Sequence, residues 1–174
     1  MTTKQSLHTQ PDSTVNVELR PPSRADGADL WRLARDSGGL DLNAPYAYLL
    51  WCDQFSKTSV VAAIDGRPAG FVTGFMRQER PDVLFVWQVT VARGHRGLGL
   101  AGRMLDALVE RLGPAAVEAT VTPSNAASSR LFHGLAKRHG CACSEAPHFA
   151  TNHFPDQGHE PEVLFHIGPF TSVS

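Results

Sequence analysis

The sequence predicts an α/β or α+β fold in which a single β-sheet carries helices on both faces. Two observations support this prediction. The first half of the chain contributes a run of strand patterns, and strand and helix patterns alternate along the second half. A chain of 174 residues suits one domain, which can bury a core without disulfides or metals. We expect a disordered polar leader at 1–16, one domain over 17–170 and a short tail at 171–174.

The first half of the chain combines strand signals with two segments of helical spacing. Asp65-Gly66 is a dipeptide typical of a two-residue hairpin turn, so the strands on either side of it are expected to pair. Pro45 suits the first turn of a helix, and Asn43 before it suits a cap. The predicted elements are a strand over 15–20, helices over 24–37 and 43–55, and strands over 59–64 and 68–76.

In the second half, residues 83–91 are almost all apolar, as expected of a strand that is buried on both faces of the sheet. The helix predicted next, over 97–112, carries leucine and methionine at helical spacing. A further helix over 125–139 ends at Gly140. The remaining predicted elements are strands over 115–121, 141–144 and 162–167.

Composition excludes several classes of partner. The net charge of −1 and the pI of about 6.7 give no field that attracts nucleic acid or an anionic membrane. No apolar run reaches the ~18 residues of a spanning helix, and the N-terminus lacks the apolar core of a signal peptide. Three cysteines fit a reducing compartment, and Cys141-Ala142-Cys143 has no second ligand pair, so no metal is expected. We therefore expect a cytoplasmic protein that acts on a small molecule.

The sharpest functional signal is a glycine-rich turn at 92–99, between the long apolar strand and the next helix. Such a turn leaves backbone N–H groups unpaired at a helix N-terminus, where the helix dipole adds about half a positive charge. Pyrophosphate binds at sites of this kind. Gly97 and Gly99 allow close approach of the backbone, and Arg93 and Arg96 can add charged hydrogen bonds. The alternative is an ordinary flexible loop.

Two other phosphate-binding patterns fit less well. A P-loop ends in Gly-Lys followed by Ser or Thr, whereas Gly99-Leu100-Ala101 stands here. The letters of the dinucleotide fingerprint Gly-x-Gly-x-x-Gly are present at 97–102, but that fingerprint belongs early in a βαβ unit, whereas a run of strand patterns precedes this turn. The pattern that fits in both letters and place is Arg-x-x-Gly-x-Ala, at 96–101.

This pattern resembles the acetyl-CoA pyrophosphate loop of the GNAT superfamily of N-acetyltransferases. A second block at 125–132, Asn-Ala-Ala-Ser-Ser-Arg-Leu-Phe, resembles the Asn-x-x-Ala-x-x-Leu-Tyr helix start of that superfamily, one strand further along the chain. The resemblance implies the GNAT fold, a single mixed and mostly antiparallel sheet with helices on both faces. It also implies that acetyl-CoA is the cosubstrate. The residues expected to bind it are Val89, Val91, Arg96, Gly97, Leu98, Gly99, Leu100, Ala101, Asn125 and Phe132.

Phe132 departs from the superfamily pattern, in which many members carry Tyr at this position. The hydroxyl of that Tyr can protonate the leaving thiolate. A phenylalanine cannot do so, and water or another group must serve instead.

Four segments, at 41–48, 80–89, 120–125 and 159–165, resemble one family more closely, the L-2,4-diaminobutyrate acetyltransferases of ectoine biosynthesis. The resemblance covers roughly residues 17–170. It implies acetyl transfer to the γ-amine of L-2,4-diaminobutyrate, a cytoplasmic homodimer and a role in osmotic protection.

A diamino acid carries two ammonium groups and one carboxylate, so its pocket needs anionic and aromatic groups. The residues expected to supply them are Asp41, Tyr46, Trp87, His159 and Glu162. Trp87 could hold an ammonium group by a cation–π contact. Each of these residues also has a purely structural interpretation: a turn cap for Asp41, core aromatics for Tyr46 and Trp87, and surface positions for His159 and Glu162.

An amine attacks a thioester only when it is unprotonated, and an amine of pKa roughly 10 costs about 4 kcal/mol to deprotonate at pH 7. We expect Glu162 to be the base, with His159 second and Asp41 third. No cysteine stands in a reactive setting, so direct attack in a ternary complex is expected. A backbone N–H near Val89 is expected to stabilise the developing oxyanion, where the strands splay apart in the superfamily.

Two other functions remain open at this stage. One is acetylation of a different amine, such as a polyamine, an antibiotic or a protein N-terminus. The other is an acyl-CoA sensor without catalytic activity, which the phenylalanine at position 132 favours slightly.

Overall fold

The computed structural model describes residues 16–155 and 158–170. The predicted leader and tail, and the predicted start of the first strand at Val15, lie outside these residues. The strands of the described part are β1 (Val17–Arg20), β2 (Val60–Ile64), β3 (Arg67–Met76), β4 (Val83–Val91), β5 (Ala116–Val121), β6 (Ala142–Phe149) and β7 (Glu162–Gly168). Its α-helices are α1 (Gly27–Ser37), α2 (Pro45–Gln54), α3 (Leu100–Leu112) and α4 (Ala126–His139).

The strands form one sheet in the order β1-β2-β3-β4-β5-β7-β6. The pair β4–β5 is parallel and the other pairs are antiparallel, which confirms the predicted mixed, mostly antiparallel sheet. At the β2–β3 hairpin, Asp65 has φ 50° and Gly66 has φ 77°. Two consecutive positive φ angles are what a type I′ turn requires, so the predicted hairpin is confirmed.

Alternation along the strands sends side chains to two cores. Val60 and Ala62 pack under α3 and α4, in a core that includes the fully buried Leu105 and Leu108. Val61, which lies between them in sequence, packs with α1 and α2 on the opposite face. Each buried leucine contributes roughly 1.5–3 kcal/mol by leaving water. Helices therefore cover both faces, as predicted.

Several predicted boundaries are wrong. Helix α1 begins at Gly27 rather than at Arg24, because Arg24–Asp26 forms a 3₁₀ turn before it. Helix α3 begins at Leu100 rather than Gly97, because Gly97 and Gly99 adopt φ +83° and +70° and cannot join a right-handed helix. Strand β6 runs to Phe149 rather than 144, because it is an edge strand whose exposed residues lack an apolar pattern. Helix α2 has Pro45 at its first position, but Ala44 is the N-cap and no side chain caps this helix, so the predicted Asn43 cap is absent. No helix in the described part of the chain is long and apolar enough to cross a membrane.

Candidate active site

The site lies where the only parallel strand pair of the described sheet comes apart. β4 and β5 are in register over Val83–Phe85 and Ala116–Glu118, and beyond these residues no pairing continues. α1 and α2 pack on β2 and β3 and reach β4 on one sheet face, whereas β5 and β7 have no comparable packing against these two helices. A cleft of about 1030 Å³ lies over the divergence and receives residues from β4, β5, β7, the 38–43 loop and the loop before β7. The strand splaying expected near Val89 is therefore present.

The direction of the β4 main chain follows from one hydrogen bond. The Ala92 amide donates to the Ala69 carbonyl at the end of β3, at 2.8 Å. Main-chain groups of successive strand residues point to opposite sides, so those of Val91 and Val89 point away from β3. That side is the one that β5 has left. The Val89 N–H is thus turned toward the cleft, where sequence reasoning placed an oxyanion donor.

A β-bulge at Trp87 aims the side chains of the site. Thr73 of β3 pairs with Gln88, and the next residue, Gly74, pairs with Val86, so Trp87 is the extra residue. Val86 and Val89 belong to the core under α3 and α4, whereas Trp87 contacts Trp51 of α2. Gln88 also faces this side, since it bonds to Tyr48 of α2. A bulge places two consecutive residues on one face, which simple alternation does not predict.

The glycine-rich turn has the geometry of an anion cradle. The first helical hydrogen bond of α3 runs from the Arg103 amide to the Gly99 carbonyl, at 3.1 Å. Among the described residues, no backbone carbonyl accepts from the amides of 97–102, which therefore emerge unpaired at the helix N-terminus. A Cβ built on Gly97 or Gly99 would meet no atom within 4 Å, so the space in front of the turn is open.

Three predicted cofactor residues have defined local partners. The guanidinium of Arg96 donates to the carbonyls of Val91 at 3.3 Å and Ser37 at 3.1 Å, which ties the turn to the end of α1. The Asn125 side chain accepts from the Ser128 amide at 3.0 Å and caps α4. Phe132, about two turns along α4 from this cap, is 2% exposed and borders the cleft. The Arg96 amide bonds to Arg93 within the turn, at 3.4 Å, so the unpaired amides begin at Gly97 rather than at Arg96.

Glu162, the predicted base, stands at the start of β7 and borders the cleft. Burial raises the pKa of its carboxyl group, and a hydrogen bond with Thr120 together with the nearby His159 pulls the pKa partly back. A carboxylate with a raised pKa is a better proton acceptor at neutral pH.

Asp41 and His159 face each other across the mouth of the cleft. His159 Nε2 lies 3.8 Å from Asp41 Oδ2, and the Asp41 side chain is 95% exposed. Nδ1 of His159 donates to the Glu160 carbonyl at 2.6 Å, so Nε2 is the ring nitrogen on the side of Asp41. The imidazole stacks on Phe154, with ring centroids 3.6 Å apart. The carboxylate of Glu160 accepts from the amide and the hydroxyl of Ser124 just before α4, which ties the residue after His159 to this point of the chain.

The structure brings four of the five predicted substrate residues to one cleft: Asp41, Trp87, His159 and Glu162. Trp87 is 50% exposed, which removes the interpretation as a core aromatic. Tyr46 is the exception. It lies in the first turn of α2, is 67% exposed and does not border the cleft.

Two polar residues of the site were missed by sequence reasoning. Thr120 bonds to Glu162, and Gln88 lies behind the loop that carries Asp41. Gln88 was discoverable, because it is the one amide side chain in the nearly all-apolar run 83–91. The thiols offer no competing nucleophile. Cys52 is buried and its pKa is raised to about 11, and burial also raises the pKa of Cys141 and Cys143.

Comparison with known proteins agrees with this geometry. The model of the Acetyltransferase (GNAT) family matches residues 28–137. L-2,4-diaminobutyric acid acetyltransferase from Streptomyces avermitilis is 50% identical over 160 residues, which cover 89% of each chain. The enzyme of the same name from Virgibacillus pantothenticus is 46% identical over 151 residues, covering 85% of this chain and 95% of the relative.

This chain belongs to the L-2,4-diaminobutyric acid acetyltransferases of the GNAT family. Their structural representative from Paenibacillus lautus was solved with its substrate L-2,4-diaminobutyric acid and coenzyme A. It superimposes with a TM-score of 0.86 at 41% identity and covers 92% of this chain and 99% of its own. The ribosomal-protein-S18-alanine N-acetyltransferase of Escherichia coli, at 15% identity and a TM-score of 0.68, shares the fold alone. The predicted fold and family are confirmed.

Proposed function

We propose that this GNAT enzyme transfers acetyl from acetyl-CoA to the γ-amine of L-2,4-diaminobutyrate, giving Nγ-acetyl-L-2,4-diaminobutyrate for ectoine biosynthesis. One observation carries the proposal. Two carboxylates, an exposed tryptophan and a histidine converge in a single cleft at the point where β4 and β5 separate. An acidic and aromatic cleft suits a substrate with two ammonium groups.

The described residues fit the cosubstrate. The unpaired amides from Gly97 onward and the positive end of α3 suit a pyrophosphate. Bound acetyl-CoA supplies an activated thioester. The gap between β4 and β5 is where its acyl end would lie, with the Val89 N–H directed into that gap.

Glu162 is proposed to remove the proton from the attacking ammonium group. Its raised pKa narrows the gap between the pKa of the carboxyl group and the pKa of the substrate ammonium group. Its carboxyl group, hydrogen-bonded to Thr120, borders the cleft. His159, with Nε2 turned toward Asp41, is the second candidate for this proton transfer. Asp41 and Trp87 are proposed to hold the ammonium groups by charge and by cation–π contact. No step needs a cysteine, so attack is direct within a ternary complex.

A second copy of this chain is the proposed macromolecular partner, and the cytoplasm the proposed compartment. Aromatic rings of Trp51, Phe55 and Trp87 form a contiguous surface beside the cleft, with centroid distances of 4.7 and 6.0 Å from Trp51. Phe55 and Leu50 on this surface are each 39% exposed. Contiguous exposed apolar surface of this kind is typical of association sites. Light scattering should give twice the chain mass for the wild type and the chain mass for Leu50→Asp, and a monomeric wild type would exclude the dimer.

The activity is tested by thiol release across a panel of amines. Purified protein with acetyl-CoA should release coenzyme A with L-2,4-diaminobutyrate, and NMR of the product should place the acetyl group on the γ-nitrogen. Faster turnover of a polyamine or a peptide N-terminus would favour acetylation of another amine. Acetyl-CoA binding without thiol release for any amine would favour the sensor function, which the missing hydroxyl at Phe132 supports.

A further inference from the structure

A buried hydrogen-bonded chain connects α2, β4 and the loop that borders the cleft. The Tyr48 hydroxyl donates to Gln88 Oε1 at 3.1 Å, and Gln88 Nε2 donates to the main-chain carbonyl of Asp41 at 2.8 Å. Tyr48 is fully buried and Gln88 is 7% exposed. Polar groups as buried as these are costly without partners, so the three groups depend on one another.

The orientation of the Gln88 amide is fixed by chemistry. A main-chain carbonyl only accepts hydrogen bonds, so the atom of Gln88 that faces Asp41 must be the NH₂ group. The carbonyl oxygen of the amide then faces Tyr48, whose hydroxyl can donate. Glutamine supplies both functions, and no apolar residue or carboxylate of similar size does so at neutral pH.

The bulge at Trp87 is what brings Gln88 to this position. In a regular strand of the same sequence, Gln88 would continue the alternation of Leu84 and Val86 and enter the apolar core under α3 and α4. With the bulge, Trp87 and Gln88 both face the α1–α2 side, one toward the cleft and one behind its wall. The bulge therefore presents two functional side chains from adjacent positions.

The segment at 38–43 is the wall that Gln88 supports. It contains no regular structure beyond the Gly38 C-cap, and it contributes Gly38, Gly39, Leu40, Asp41 and Asn43 to the lining of the cleft. Its N-terminal end is tied through the Ser37 carbonyl to Arg96 of the cradle. The bond from Gln88 joins its middle to the sheet, at the residue whose side chain faces His159.

We propose that Gln88 is a positioning residue that sets the affinity for the amine substrate by fixing Asp41 at the mouth of the cleft, with Tyr48 holding Gln88 in place. The inference rests on the proposed role of Asp41 in binding an ammonium group. It adds to that role a buried donor that never touches the substrate. Without this bond, Asp41 would lose conformational entropy each time substrate binds, and the affinity for the substrate would fall.

The test compares Gln88→Glu with Tyr48→Phe by steady-state kinetics. Gln88→Glu keeps the acceptor for Tyr48 but replaces the donor facing Asp41 with a carboxylate. We expect the KM for L-2,4-diaminobutyrate to rise about tenfold or more, with the KM for acetyl-CoA and kcat within about twofold of wild type. Tyr48→Phe leaves the Gln88–Asp41 bond in place and should raise the same KM about two- to threefold. Gln54→Glu on the exposed side of α2 adds the same charge elsewhere and should leave both KM values unchanged.

A double-mutant cycle separates positioning from general damage. If Gln88 acts through Asp41, then Gln88→Glu in an Asp41→Ala background should change the KM for the amine by less than about twofold. An undiminished tenfold effect in that background, or equal rises in both KM values of Gln88→Glu, would overturn the inference. So would a wild-type KM for the amine in folded Gln88→Glu. Turnover of L-2,4-diaminobutyrate by the wild type tests the proposed function independently of this cycle. If another amine in the panel proves to be the substrate, the double-mutant cycle of Gln88→Glu and Asp41→Ala is measured with that amine.

Discussion

At the scale of single residues, the chemistry of the site depends on the environment of Glu162. Burial raises its pKa, so the carboxylate required of a base is lost as the pH falls through a value above the ordinary range of glutamate. We expect Glu162→Gln to lower kcat by about tenfold or more while acetyl-CoA affinity is kept, because general-base catalysis contributes about 10²–10⁴-fold. Steady-state kinetics and calorimetry measure the two quantities. An unchanged kcat would remove Glu162 from this role and direct attention to His159.

Substitution of Thr120 changes the pKa of the Glu162 carboxyl group without removing the group. The hydrogen bond of Thr120 lowers the Glu162 pKa, so the nearly isosteric Thr120→Val should raise that pKa further. The acid limb of the kcat profile should then move to higher pH, with little loss of activity on the alkaline side, where the carboxylate is present in both proteins. A profile across pH 5 to 9 measures the shift. The same limb should be absent in Glu162→Gln, and a limb that persists there belongs to another group.

Residue types in a sequence reveal candidates but not their partners. Glu162, His159, Asp41 and Trp87 were predictable because their segments resemble one family, whose implied diamino acid substrate requires such groups, and the structure brings them to one cleft. Tyr46 satisfied the same chemical argument but lies outside the cleft, because its position in the first turn of α2 faces water. Which side a helical residue faces depends on what its neighbours pack against, and that information is not local.

At the scale of elements, the junction of β4 and α3 is governed by backbone conformation. Gly99 is the residue before α3 and has φ +70°, which is strained for residues with a side chain and most of all for β-branched ones. Gly99→Val should therefore rearrange the turn and displace the unpaired amides, weakening acetyl-CoA binding by about tenfold or more. Calorimetry with acetyl-CoA measures the effect. Gly94→Ala, in the same loop with open space and no positive φ, is the matched control and should bind normally.

Sequence patterns predicted the boundaries of some elements incorrectly. The glycines that indicated the cradle also keep residues 97–99 out of the helix, so α3 begins at Leu100 rather than at Gly97. The edge strand β6 has mostly exposed residues and includes Pro147, which an edge strand tolerates, and no alternation indicated its full length. The bulge at Trp87 arises from a pairing between two strands and has no local signal.

At the scale of the whole molecule, the strand order and the separation of β4 from β5 create the site, and both are non-local. Sequence reasoning predicted the elements and, by resemblance, the sheet. Yet β7 inserts between β5 and β6, which is what brings Glu162 of β7 within hydrogen-bonding reach of Thr120 of β5. Glu118 also belongs to this level. It is a lone carboxylate in strand β5, 1% exposed, and its role becomes evident only when the β3–β4 connection and β7 are folded around it.

Glu118 joins the β3–β4 hairpin, β5 and β7, so its removal should be felt by the whole fold. Its carboxylate accepts from Arg77, from Arg80 at 2.7 Å and from His166 at 2.8 Å. Desolvation alone would raise its pKa, but these three donors outweigh it and the pKa is lowered. A carboxylate whose pKa is lowered by folding stabilises the fold at pH values above its pKa in the unfolded chain. This contribution is lost as the pH falls through its pKa in the folded protein. Glu118→Gln should cost about 2–4 kcal/mol and, for a chain of this size, about 5–12 °C in Tm near neutral pH.

The difference between Glu118→Gln and wild type should shrink at acid pH, because the wild-type carboxylate is then protonated too. Thermal unfolding at several pH values measures it. Glu110→Gln, on the exposed side of α3, is the matched control and should stay within about 0.5 kcal/mol of wild type. Equal Tm values for Glu118→Gln and Glu110→Gln would show that the β3–β4 hairpin, β5 and β7 are held together by the apolar cores alone. A large drop confined to Glu118→Gln would mean that the strands flanking the cleft are also locked by charge, at the end of the sheet where β4 and β5 still pair.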